Sequence, residues 1–200
     1  MIKILIAEDQ SMVLGALSAL LDLEQEFNVI ANAKNGKEAF TLAQQLEVDI
    51  VLTDIEMPEM TGIELALELQ RIKHPAKVMI LTTFARGGYL RRAMDAGVKG
   101  YLLKDAPSDS LADAVRKIHA GKVIVAPELV TEAWSDIDPL TEKERKVLRL
   151  ALEGKTTEEI SNTIHLSPGT VRNYLSEAAS KLGAKNRVEA GRIAKQKGWL

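Results

Sequence analysis

Ile2-Lys3-Ile4-Leu5-Ile6-Ala7-Glu8-Asp9 decides the fold: a short apolar run rich in isoleucine that stops at two acids. Such a run reads as a strand buried on both faces, the kind found in parallel sheets rather than in half-solvated antiparallel ones. Working outward, Met12, Val13, Ala16, Leu17, Leu20 and Leu21 recur at spacings of three and four, the signature of an amphipathic helix. The alternation then repeats: Phe27–Ala31 as strand, Lys37–Leu46 as helix, Ile50–Thr53 as strand and Ile63–Ile72 as helix. Val78–Leu81, Tyr89–Ala96, Gly100–Leu103 and Ser108–Ala120 complete five β/α units. The expected fold is α/β, a five-stranded doubly wound parallel sheet over residues 1–122. In such sheets the working crevice lies beyond the carboxyl ends of the strands.

The pattern changes after residue 122. Val123–Asp138, with Pro127 inside and Pro139 just past it, reads as a linker (123–137) around a segment, Glu128–Trp134, long enough for two helical turns. From Leu140 onward only helical patterns remain. Thr141-Glu142-Lys143-Glu144 is a capping box, Gly154 ends that helix, and Thr156/Thr157 can open a short second one. Ser167-Pro168 launches a longer third helix stopped by Gly183, and Asn186 can cap a fourth. The second domain, 138–200, is therefore expected to be all-α with four helices. Charge divides along the same line. Residues 1–137 carry 14 Lys and Arg against 20 Asp and Glu, whereas residues 138–200 carry 12 against 8. An acidic front and a basic back point to different partners.

Composition narrows the chemistry. The chain is 46% hydrophobic and 27% charged, the balance of a globular protein. It has no cysteine, and its three histidines, His74, His119 and His165, show no metal-ligand spacing, which argues against a zinc hydrolase or a Cys-His enzyme. No run of 18 apolar residues is present and acids follow the first strand, so no membrane association and a cytoplasmic location are expected.

Four strands end in residues that belong together. Glu8-Asp9 follows the first and Asp54 the third; carboxylates converging at one sheet edge call for a divalent cation, and oxygen-only ligation suits Mg²⁺. The fourth strand ends at Thr82 and the fifth at Lys104. A hydroxyl and an ammonium beside a metal-bound carboxylate form a receptacle for a phosphoryl group, with Asp54 as its acceptor. Singly, each residue reads as a turn former, a solvated lysine or a packing threonine; their joint order does not.

These stretches resemble response-regulator receiver domains: Glu8-Asp9, Asp54-Ile55-Glu56-Met57-Pro58-Glu59-Met60-Thr61-Gly62, Leu81-Thr82-Thr83 and Ala96-Gly97-Val98-Lys99-Gly100-Tyr101-Leu102-Leu103-Lys104-Asp105. The resemblance implies a flavodoxin-like fold, Asp54 as phosphoacceptor, and Mg²⁺ on Asp9, Asp54 and the backbone carbonyl of Glu56, with Glu8 acting through water. It further implies that Thr82 and Lys104 contact the phosphate and that Tyr101 is an aromatic switch turning inward with Thr82. Two departures stand out: Glu8 for the commoner Asp, and Thr83 for a frequent Ala.

In the second domain the third helix, preceded by the tight turn His165-Leu166-Ser167, completes a helix-turn-helix. Arg172 and Asn173 offer a guanine-type fork and an adenine-type amide, while Lys155, Lys181, Lys185 and Arg187 are placed for phosphates. A helical dimerisation module with a solvated basic face would show the same local pattern. The run Leu140-Thr141-Glu142-Lys143-Glu144-Arg145-Lys146-Val147-Leu148, with Thr170-Val171-Arg172 and Asn186-Arg187-Val188-Glu189-Ala190, is similar to the NarL/LuxR-type (NarL/FixJ family) DNA-binding domain. That resemblance implies groove contacts from Thr170, Arg172, Asn173 and Ser176, and phosphate contacts from Lys155, Thr157 and Lys181. Arg172-Asn173-Tyr174 departs from the frequent Lys-x-His, so an operator is not transferable from relatives.

The function expected is a transcription factor controlled by a sensor histidine kinase, dimerising on phosphorylation and binding a double-stranded DNA operator of approximate two-fold symmetry. An apolar stripe of Val188, Gly191, Ile193 and Ala194 is the expected dimer surface. Phe84-Ala85-Arg86 and Gly198-Trp199 add a similarity to lipid-desaturase thermosensor regulators. Two rivals are weighed. A small-molecule phosphatase or phosphotransferase with an Asp nucleophile would use Glu56, two residues beyond Asp54, as its acid, but Ile55, Met57-Pro58 and the lack of a capping insertion argue against it. A phosphorylation-independent DNA binder would not need the five-residue site.

Overall fold

The computed structural model describes residues 1–83, 87–127 and 138–200. Phe84-Ala85-Arg86 and the turns expected at Glu128–Trp134 lie outside them. The chain divides into two compact units, one holding residues 1–85 and 90–130 and the other the remainder.

The first unit runs β1 (Ile2–Ala7), α1 (Ser11–Asp22), β2 (Phe27–Ala33), α2 (Gly36–Gln45), β3 (Ile50–Thr53), α3 (Gly62–Arg71), β4 (Lys77–Thr82), α4 (Gly87–Asp95), β5 (Gly100–Leu103), α5 (Ser108–His119) and β6 (Ile124–Val125). All strands are parallel, in the order β2-β1-β3-β4-β5-β6. Every residue of β3 is buried, and so are Ile4, Leu5 and Ile6 of β1, as continuous apolar runs require in a sheet covered on both faces. The winding reverses around β1, which pairs with β2 on one side and β3 on the other, so the switch point lies where β1 and β3 end.

The sheet has six strands, not the five expected. Ile124 N–H donates to Lys99 O (2.9 Å) and Ala126 N–H to Tyr101 O (3.0 Å), adding a two-residue strand within the segment read as linker. Two β-branched residues are too few to show a period. The stripe of α1 is also turned from expectation: Leu14 and Leu21 are buried, while Met12 and Ala16 face solvent. Beside α1, Arg116 of α5 pairs with Glu24 and Glu26 and stands over the Phe27 ring, 5.3 Å from its centroid.

The second unit holds α6 (Glu142–Leu152), α7 (Thr157–Ile164), α8 (Pro168–Lys181) and α9 (Arg187–Lys197), with no strand among its described residues. Capping boxes open α6 (Thr141/Glu144) and α7 (Thr156/Glu159), Ser167 and Pro168 open α8, and Asn186 caps α9 through two N–H groups. Such caps stop one helix and start the next within a few residues. His165, at φ 55°, makes the left-handed turn between α7 and α8. Val147, Leu148, Ile160, Val171 and Leu175 form the core. No helix among the described residues is long and apolar enough to cross a membrane.

Candidate functional site

The register of the sheet assembles the site. Ala7 lies opposite Thr53, so Glu8-Asp9 and Asp54 leave neighbouring strands side by side, and Asp54 N–H donates to Ala7 O (3.0 Å). Thr82 lies opposite Leu103, and Lys104 N–H donates to Thr82 O (2.9 Å). Parallel pairing thus carries all five residues to one edge of the switch point.

Lys104 is the hinge of the electrostatics. Its Nζ donates to Glu8 Oε2 (2.6 Å) and to Asp54 Oδ2 (2.8 Å). The remaining oxygens are held as well: Asp54 Oδ1 accepts from Ile55 N–H (2.6 Å) and Glu8 Oε1 from Gln10 N–H (3.1 Å). Glu8 and Asp54 are 1% and 5% exposed, a burial that carboxylates tolerate only with such partners. Burial pushes the Glu8 carboxyl above its ordinary range, and the hydrogen bonds from Lys104 and Gln10 offset only part of it. Burial alone would lower the Lys104 pKa, but the bonds to Asp54 and Glu8 outweigh it and raise the value.

Carboxylate oxygens of Glu8, Asp9 and Asp54 lie within 4.8 Å of one another, and Asp9 is the solvent-exposed member. Oxygens sharing one Mg²⁺ at about 2.1 Å sit about 3–4 Å apart, so a small inward movement brings this set to octahedral reach. All donors are hard oxygens. The set fits Mg²⁺, and it offers none of the imidazole or thiolate donors that zinc and copper sites commonly use. Glu56, half-buried in the bend after Asp54, places its carbonyl on the same loop. Thr82 and Tyr101 are fully buried.

The loop from Asp54 to α3 closes tightly. Gly62 N–H donates to Ile55 O (3.0 Å), and a Cβ on Gly62 would fall 1.9 Å from Asp54 O, so only glycine permits this return. The backbone donors at Ile55 and Gln10 were not legible in the sequence, since a backbone group carries no residue signature.

In the helical unit, Arg172, Asn173 and Ser176 share the exposed face of α8, opposite the buried Val171, Leu175 and Ala178. Thr170 is half-buried, its hydroxyl 2.8 Å from that of Ser167. Thr157 is the first residue of α7, and Lys155 in the preceding turn stands 3.4 Å from Glu153. Lys181 is placed otherwise than expected: its Nζ donates to both oxygens of Glu144 at 2.8 Å, joining the end of α8 to the start of α6. Glu144 is 1% exposed.

The expected dimer stripe is corrected for two residues. Ala194 is wholly buried in its own domain's core, and Gly191 sits where a Cβ would lie 2.4 Å from Leu152 Cδ2. Both are packing positions of α9 against the same unit. Val188 is 67% exposed and Ile193 half-buried, so only these two remain on the surface.

A doubly wound α/β unit with an acidic switch point, followed by a capped helix-turn-helix unit, defines a class: the two-component transcription regulators. Residues 4–116 match the response regulator receiver domain family and residues 138–194 the bacterial regulatory proteins of the luxR family, and the chain belongs to both. It is 53% identical to transcriptional regulatory protein YvfU and 49% identical to transcriptional regulatory protein DesR, both of Bacillus subtilis (strain 168), over 200 residues and the whole of each chain. Among solved structures it is similar to the response regulator ChrA of a heme-sensing two-component system, with a TM-score of 0.58 and 31% identity, covering 100% of this chain and 98% of that one.

Proposed function

We propose that Asp54 accepts a phosphoryl group from a sensor histidine kinase, that Mg²⁺ is held by Asp9, Asp54 and the Glu56 carbonyl with Glu8 acting through water, and that the phosphorylated chain dimerises on a DNA operator of approximate two-fold symmetry. The observation carrying this reading is Lys104 Nζ bridging Asp54 (2.8 Å) and Glu8 (2.6 Å) at the edge of a three-carboxylate cluster. Ile55 N–H fixes the plane of the Asp54 carboxylate. As the phosphoryl group arrives, Lys104 exchanges its bond to Asp54 for a phosphate oxygen while keeping Glu8, and the Thr82 hydroxyl donates to another oxygen. A bound cation would supply the positive charge that lets an anionic donor approach anionic Asp54. Tyr101 then transmits the movement of Thr82. Residues 1–122 serve as receiver, extended by β6, and 138–200 as DNA-binding domain, in a cytoplasmic protein. The full-length match to DesR supports the desaturase-regulator resemblance. The test is acetyl phosphate labelling: one acid-labile phosphoryl per chain, dependent on Mg²⁺. Label that survives EDTA, or continuous turnover of small phosphoesters, would overturn it.

A protein donor is supported by α1. It begins two residues after Asp9, has no charge from Ser11 to Leu21, and shows solvent Met12 (87% exposed), Ala16, Ala19 and, past its end, Leu23. An uncharged face of this kind suits a helix of another protein. Met12→Lys is expected to slow phosphotransfer from the kinase about tenfold, the worth of one buried methionine. Labelling by acetyl phosphate should not change. Equal slowing with both donors would count against α1 as the docking face.

The exposed face of α8 supports base reading. Arg172→Ala is expected to weaken operator binding by about ten- to a hundredfold with little change on scrambled DNA, because a bidentate arginine–guanine pair is worth about 1–3 kcal/mol of discrimination. Titrating both DNAs at several salt concentrations checks it. An unchanged operator-to-scrambled ratio refutes the assignment.

A further inference from the structure

The start of α2 touches the loop between β3 and α3 at one close point. Gly36 N–H donates to Met60 O (3.0 Å), and a Cβ on Gly36 would lie 2.4 Å from that oxygen and 2.9 Å from Met60 Cγ. Backbone oxygen cannot yield as the tip of a side chain can, so any other residue must lift the loop or the helix. Asn35 works in two directions. Its Oδ1 accepts from Glu38 N–H (2.8 Å) and caps α2, while its Nδ2 donates to Glu59 Oε1 (3.2 Å) across the gap. Glu59 sits at φ 64°, a left-handed conformation that a non-glycine residue keeps only when its surroundings impose it. The far end of the same loop is fixed by Gly62 against Asp54 O. Residues 55–61 are therefore gripped twice, by the glycine of α3 and by the glycine of α2.

We infer that Asn35 and Gly36 are positioning residues for the acceptor site: through Met60 and Glu59 they set the place of the loop that carries the Glu56 carbonyl, and thereby the affinity for the divalent cation. The inference rests on the reading of Glu8, Asp9 and Asp54 as a Mg²⁺ site. Neither residue belongs to that cluster, and the start of α2 meets the loop at Glu59 and Met60.

The same helix end also holds a capping interaction that would affect stability alone, because Glu38 Oε2 accepts from Lys34 N–H (2.8 Å) without touching the loop. This separates the two roles. Mg²⁺ is titrated by calorimetry into the full chain and into Gly36→Ala, Asn35→Ser and Glu38→Ala, with the melting temperature of each measured alongside. Gly36→Ala should bind Mg²⁺ about tenfold more weakly, as losses in the shell behind a metal site do. Asn35→Ser keeps a capping oxygen but loses the amide donor, and should weaken Mg²⁺ in the same direction by less. Glu38→Ala should melt earlier yet bind Mg²⁺ as the parent does. Parental affinity in Gly36→Ala overturns the inference whatever its melting temperature. Should Gly36→Ala fail to fold, parental affinity in Asn35→Ser overturns it equally. A parent chain that takes up no Mg²⁺ refutes the reading of the acidic cluster instead, which is a different failure.

Discussion

Asp54→Asn is expected to take up no acid-labile, hydroxylamine-sensitive label from acetyl phosphate or from a kinase, and to lose all dimerisation driven by a phosphodonor. The substitution is nearly isosteric. An asparagine oxygen can still accept from Ile55 N–H, which meets Asp54 Oδ1 at 2.6 Å, so the bend after β3 should survive. What disappears is the anionic oxygen facing Lys104 at 2.8 Å and one of the two buried carboxylates of the cluster. An amide is a poor nucleophile toward phosphorus and cannot form an acyl phosphate. Folding should be little affected, since one of several like charges is removed. Autoradiography with hydroxylamine treatment, and sedimentation with and without phosphodonor, check both halves. Stoichiometric label on Asp54→Asn would move the acceptor elsewhere.

Lys181→Ala should damage the helical domain rather than subtract one phosphate contact. Glu144 is buried, its Oε2 accepts from Thr141 N–H (2.7 Å), and Lys181 closes both of its oxygens. Removing the ammonium leaves a buried carboxylate with too few partners. Breaking a fully buried pair costs about 3–5 kcal/mol; with the lysine head partly in water, about 2–3 kcal/mol is expected. The pH dependence has a definite sign. Burial would raise the Glu144 pKa, yet the bonds from Lys181 and Thr141 hold it below the ordinary glutamate value. A depressed folded value means that stability is present above the unfolded pKa, about 4.3, and is lost as pH falls through the folded value. In Lys181→Ala the gain in stability on raising the pH through this window should shrink. Thermal unfolding across pH measures it, and Glu144→Gln combined with Lys181→Met should recover part of the loss. Parental melting with a salt slope lowered by about one would restore Lys181 to the phosphate contacts.

The two lysines show what a sequence makes legible. Lys104 meets Glu8 and Asp54 because a strand end is a fixed address: residues that follow parallel strands come together at one edge. Lys181 follows a helix, and helical periodicity tells which residues share a face but not what the face meets. The same gap explains α9. Gly191 and Ala194 lie on an apolar stripe, and the stripe faces Leu152 and the domain's own core instead of a second copy. Capping was readable residue by residue, because Thr141, Thr156, Ser167 and Asn186 act on donors only two or three positions away. The grip of Gly36 on Met60 spans 24 residues and leaves no local pattern. The strand β6 was missed for a third reason: two residues satisfied by an edge already built need no propensity of their own.

The place of β1 has a consequence for synthesis. Of the six strands of the sheet, β1 is made before the others, and it is an inner strand with β2 on one side and β3 on the other. Its second edge finds a partner only after Ile50–Thr53 have left the ribosome. At about 5–20 residues per second, that is a delay of several seconds in which an apolar strand edge stands open. During it, the open edge of Ile2–Ala7 is a template on which a neighbouring nascent chain can pair. Aggregation of this protein should therefore be set by translation rate and chaperone supply more than by the stability of the finished fold. Slowing elongation between Ala33 and Ile50 should lower the soluble yield, whereas slowing it after Thr53 should not.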